Sequence, residues 1–213
     1  TESVLYKEGD ILPGQTDTVA DFGTGENNSA FNNAGQTLFL ADINGNTAVD
    51  MVLYRDSTLI AQEGSPSPVA GRNYVLSTSN PIDLSNDGDW AIRTTLTGDT
   101  ATDVVIIANN ALVKSEGDAP PGVGGGVLLT GFGTGGIKVD NQGAVTWYGQ
   151  WTGDVNLNQG LFKGNTLLCQ KGVTQVGGQT LTTIAGSTAT GGITMGFDAS
   201  PNGRYVIARG LVT

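Results

Sequence analysis

The chain has 213 residues, 20 of them acidic and 10 basic, for a formal charge of −10. Surplus carboxylates disfavour phosphate backbones and anionic lipid surfaces as partners, and no apolar run approaches the ~20 residues needed to span a bilayer. Histidine is absent and Cys169 is the only cysteine, which removes histidine-based triads, histidine metal sites and an internal disulfide. Glycine, at 33 residues, supplies tight turns,. The start, Thr1-Glu2-Ser3, carries neither an initiator Met nor a basic, apolar leader, and reads as processed or trimmed,.

In chain order, the first apolar stretch is Val4-Leu5-Tyr6, running into Lys7-Glu8-Gly9-Asp10. Strand signals follow at about 36–43, 49–55, 58–63 and 73–79, with Asn44-Gly45-Asn46 and Asp56-Ser57 as turns,. The set returns at about 89–96, 103–108, 111–116 and 127–132, with Asn109-Asn110 as a turn. A last strand runs from Arg204 to Leu211. No segment holds a 3.6-residue apolar period, so helices are not expected.

Two motifs repeat along this series. A turn glycine followed by alternating apolar residues recurs at Gly35, Gly88, Gly143 and Gly203, spaced 53, 55 and 60 residues apart. Between these, an apolar strand ends in a charged residue and glycine at Gly9, Gly64, Gly117 and Gly172, spaced 55, 53 and 55 apart. Fixed-period self-similarity marks repeat architectures. The expected fold is all-β and β-propeller-like, with four repeats of four short antiparallel strands in one domain, 1–213. The repeats fall at about 31–82, 83–137, 138–196, and 197–213 plus 1–30. A closing blade would combine the C-terminal first strand with N-terminal third and fourth strands. Its missing second strand leaves three readings: an incomplete blade, further repeats of a longer propeller, or a strand from a neighbouring molecule.

The copy Ser200-Pro201-Asn202-Gly203-Arg204-Tyr205 resembles the first-strand turn of TolB-like propellers. The runs Glu8-Gly9-Asp10-Ile11-Leu12-Pro13-Gly14 and Glu116-Gly117-Asp118-Ala119-Pro120-Pro121-Gly122 resemble exported bacterial propeller-repeat proteins of unestablished activity. The resemblance implies a propeller architecture and export to the cell surface or medium. It implies no particular activity.

Few residues offer chemistry. Glu8, Glu63 and Glu116 form the obvious carboxylate set, but they recur at one point of each repeat. Recurrence favours capping of backbone N–H groups over acid catalysis, which needs two acids once. Asp42, Asn44, Asn46 and Asp50 alternate oxygens around a glycine turn, as a calcium site would; a plain Asn/Gly hairpin explains the same residues. Asp83-Leu84-Ser85-Asn86-Asp87-Gly88-Asp89 is also oxygen-rich. Gly124-Gly125-Gly126 and the run Gly131 to Gly136 lack the Gly-Lys-Ser/Thr of a phosphate cradle and read as loops. Trp90, Trp147 and Trp151 would stack on a glycan if exposed, or pack between blades, the preferred reading. Cys169 reads as an ordinary strand residue.

The functional expectation is a non-catalytic extracellular or cell-surface structural protein, without cofactor unless calcium binds. Its partners are further copies, as a homo-oligomer or polymer, or further repeats of a longer chain. The alternative is a propeller module binding glycan or peptide; a carbohydrate-active enzyme ranks third.

Overall fold

A computed structural model describes residues 4–23, 28–133, 135–184 and 196–213; the expected start at Thr1 and the loop residue Thr134 lie outside them. Among the described residues the chain is all-β, with antiparallel pairing throughout and no helix.

Three sheets of five strands follow one another along the chain. The first holds β1 (Val19–Asp21), β2 (Ser29–Phe31), β3 (Thr37–Ile43), β4 (Met51–Arg55) and β5 (Thr58–Gln62). The second holds β6 (Tyr74–Val75), β7 (Ile82–Leu84), β8 (Trp90–Leu96), β9 (Val104–Ala108) and β10 (Ala111–Ser115). The third holds β11 (Leu129–Gly131), β12 (Lys138–Val139), β13 (Val145–Trp151), β14 (Gln159–Lys163) and β15 (Thr166–Gln170). In each, the long strand β3, β8 or β13 pairs on one edge with a single strand. On its other edge it pairs with two short strands end to end.

This corrects the repeat boundaries. The expected fourth strand at 73–79 contains β6, which pairs with β8 and so belongs to the next sheet (Tyr74↔Leu96). The chain leaves each sheet at the motif of a charged residue and glycine and crosses to the inner edge of its successor. There the amide N–H groups of Gly9, Gly64, Gly117 and Gly172 donate to the carbonyls of Val19, Tyr74, Leu129 and Leu181. Hairpin chemistry closes the outer edge of each sheet. Asn109 and Asn110 take φ 48° and 61°, as a two-residue primed turn requires,. Asn109 Oδ1 accepts from Trp90 N–H, and Asp56 Oδ1 does the same for Thr37 N–H.

Both faces of each sheet are apolar, so Leu38, Phe39, Leu40 and Ala41 are all buried in succession. Leu38, Leu40 and Leu53 of the first sheet share a core with Leu84, Trp90 and Ile92 of the second. Ala91 and Ile106 of the second pack with Val139, Trp147 and Phe162 of the third. The opposite face of the first sheet carries Phe39, Val52 and Tyr54, covered by Leu12 and partly by Tyr6 and Phe22.

The last unit is smaller: β16 (Gln175–Val176), β17 (Gln179–Ile184), β18 (Phe197–Ala199), β19 (Val206–Ala208) and β20 (Gly210–Val212). Leu181, Ile184 and Phe197 pack on Tyr148 and Leu161 of the third sheet. Here the register changes. Ala30↔Leu38, Asp83↔Ala91 and Lys138↔Thr146 are equivalent pairs, but Asp198 pairs with Ile207, one residue further along. The cause is a longer turn. Ser85 N–H donates to the Asp89 carbonyl, whereas Ser200 N–H reaches Tyr205. A one-residue slip moves alternate side chains to the other face. The expected closing blade with Val4-Leu5-Tyr6 is not formed: these residues carry no strand, and the Tyr6 ring lies 5.7 Å from Phe39 of β3.

Candidate functional site

The sheets are joined at their inner edges by polar seams. Asn33 N–H donates to Asn86 Oδ1 (2.9 Å), Asn86 N–H to Asn141 Oδ1 (3.2 Å), and Asn141 N–H to the Pro201 carbonyl (2.7 Å). Asp83 accepts from Val139 N–H at 2.7 Å and from Lys138 Nζ at 3.3 Å; Lys138 also stands 3.8 Å from Asp198. Burial pushes the Asp83 carboxyl above its ordinary value despite the Lys138 charge. Cations also reach forward to the next turn: Arg55 to the Gly88 carbonyl at 3.0 Å, Lys163 to that of Gly203 at 2.6 Å. Lys163 Nζ lies 2.7 Å from the buried Asp140 carboxylate. Arg93 donates to the Gly135 carbonyl at 2.8 Å, and burial pulls its pKa down to about 10. These groups are occupied in holding successive sheets together.

The sequence-predicted residues fall into the same framework. Trp90, Trp147 and Trp151 are 3%, 0% and 3% exposed. The glycan-stacking reading is therefore corrected: their faces are covered by neighbouring sheets, and Trp147 stacks on Phe162 at 4.2 Å. Glu116 Oε2 accepts from Val104 N–H and Glu63 from Met51 N–H, at the start of the adjacent strand. Burial, together with Asp50 beside Glu63 and Asp103 beside Glu116, pushes both carboxyls above the usual range. Glu8 is exposed, and the three glutamates stand in separate units.

Of the oxygen set considered for calcium, Asn44 donates through Nδ2 to Thr18 Oγ1 at 2.8 Å. Asn46 Oδ1 accepts from Ala48 N–H in a turn that recurs as Asp99 to Ala101 and Asp154 to Asn156. Asp42 is raised by burial and by Asp50 and Asp21. Among the described residues no group of three or more His, Cys, Asp or Glu is arranged to hold a metal ion. The Cys169 thiol is half-buried against the Tyr148 and Leu161 cluster, and burial pushes its pKa up.

What the sequence did not single out lies at the two ends of the stack. On the first sheet, Leu5, Tyr6, Phe22, Phe31 and Phe39 line an apolar groove of about 280 Å³. Phe31 is 74% exposed, while Leu84 and Val139, its equivalents before the turn glycine, are buried. On the last unit, Tyr205, Ile207 and Leu211 are 61%, 75% and 66% exposed. A recess of about 430 Å³ borders Ile207, lined also by Asp198 and Arg209. Periodicity could not reveal this, because the turn that is longer by one residue keeps the same glycine column.

No curated protein and no solved structure matches the chain. The family of unknown function DUF7453 matches residues 1–182. The chain, whose sheets stack through polar inner seams and leave both end faces apolar, belongs to the family of unknown function DUF7453.

Proposed function

We propose that the chain is a non-catalytic, propeller-type scaffold of the cell surface or extracellular space, working by association with further copies of itself. One observation carries this reading. Every sheet has two apolar faces, and among the described residues three successive interfaces and the Leu12, Tyr6 and Phe22 side chains cover most of that surface, leaving Leu5 and Phe31 exposed at one end and Tyr205, Ile207 and Leu211 at the other. Tyr205, Ile207 and Leu211, at 61–75% exposure along the segment of β19 and β20, mark an interaction surface rather than a solvated one,. The exported look of the Glu-Gly-Asp repeats supports the location, and the polar groups of the seams are already engaged with backbone, which leaves little for catalysis. Sedimentation velocity over a dilution series tests the reading. Species heavier than one chain should grow with concentration. A single-chain species at every concentration would overturn it.

A further inference from the structure

The internal interfaces of the stack have a direction. In the first two, a residue three after the turn glycine faces forward: Leu38 onto the second sheet, Ala91 onto the third. A residue four before the turn glycine faces back to receive it: Leu84 shares the core of Leu38, and Val139 that of Ala91. Contacts run accordingly from β2 to β7, β7 to β12 and β12 to β18. By pairing, Ile207 is the equivalent of Leu38 and Ala91, since Asp198↔Ile207 matches Ala30↔Leu38 and Asp83↔Ala91. By position, Phe31 is the equivalent of Leu84 and Val139. Among the described residues, the last unit therefore presents Ile207 on an uncovered forward face, and the first sheet presents Phe31 on a receiving face that Leu5, Tyr6 and Phe22 cover only in part. Both side chains are about three-quarters exposed (75% and 74%), so the chain does not close these faces on each other.

We infer that the chain associates head to tail, the Ile207 face of one copy seating in the Phe31 groove of a second copy. This rests on the self-association proposed above and names its surfaces and its polarity. Charge agrees with the direction. The forward end carries exposed Arg204 and Arg209 against one exposed carboxylate, Asp198, while the first unit carries exposed Glu8, Asp17 and Asp21 against Lys7, around rather than within the groove. Head-to-tail contacts are heterologous, so they propagate until a ring closes or a filament grows.

Two variants and their mixture test the inference. Ile207→Asp removes the forward face and Phe31→Asp the receiving face. Both positions point to solvent, so far-UV circular dichroism and melting temperature should match the parent. Each variant alone should sediment as a single chain, with association weakened at least about tenfold. An equimolar mixture should form a two-chain complex and stop there, because each partner retains one competent face. A variant that still self-associates at parental strength overturns the head-to-tail arrangement, as does a mixture that stays single-chain; self-association itself then survives if the parent assembles. A parent that never assembles overturns both.

Discussion

The glycines of the crossing motif, Gly9, Gly64, Gly117 and Gly172, adopt φ of 85°, 74°, 82° and 74°, where a side chain is strained. Their surroundings differ. A Cβ on Gly9 meets open space, whereas on Gly172 it collides with the Asn156 carbonyl and approaches Leu157 Cδ2 at 2.7 Å. Gly9→Ala should therefore cost about 1–2 kcal/mol, the left-handed strain alone. Gly172→Ala should cost clearly more in the same denaturant titration; equal losses would mean that only φ matters. Asp83 is a second test. Alanine there strands the buried Val139 N–H and the Lys138 ammonium, and unfolding free energy should fall by about 1–3 kcal/mol. Glu63 makes a pH prediction. Its pKa is raised in the folded chain, so the native state binds the proton more readily than the unfolded state. The charged group then costs stability above its folded pKa, and the cost fades as pH falls towards the ordinary 4.5,. Glu63→Gln should raise Tm at pH 7 by about 1–2 °C, as relief of a partly exposed like-charge contact would. The gain should vanish in acid; a gain independent of pH would contradict this cause.

At the scale of the strand, burial on both faces explains what was legible and what was not. The long strands were readable because apolar runs between Asn/Asp/Gly turns have few other interpretations. β3, β4 and β5 lie within or close to the stretches expected, as do β8, β9 and β10. The short strands β2, β7 and β12 were missed. They are two or three residues long, and those of the second and third sheets carry Asp83 and Lys138, which read as loop until their partners across the seam are known. The stretch 73–79 reads as a strand, but its sheet does not, since nearness in sequence does not decide which edge a strand pairs with. The tryptophans were ambiguous for a related reason: both faces of a strand are apolar here, and composition does not tell a covered face from a bare one. Trp147 is the sharpest probe of this packing. Its ring is fully buried between Phe162 and Phe132, and its Nε1–H donates to the Gly164 carbonyl at 3.1 Å. Trp147→Ala should cost about 3–5 kcal/mol in chemical denaturation. A loss below about 1 kcal/mol would mean that the second and third sheets are not packed as described.

Over the whole molecule, three covered interfaces and an exposed apolar patch at each end make the proposed association a consequence of the repeat rather than an addition to it. The apolar pattern that buries Leu38 and Ala91 also writes Ile207, which no described residue covers in the same way. Opposite charges at the two ends should make association weaken as salt is raised, within the screening expected of exposed groups. The most direct measurement is amide hydrogen exchange of the peptide spanning 206–212, in dilute and in concentrated solution. The account predicts fast exchange when dilute and marked slowing when concentrated. The groove residues around Phe31 should slow with it, and β8 and β13 should remain unchanged. Exchange across 206–212 that is the same at both concentrations would contradict the claim that this face receives a second copy.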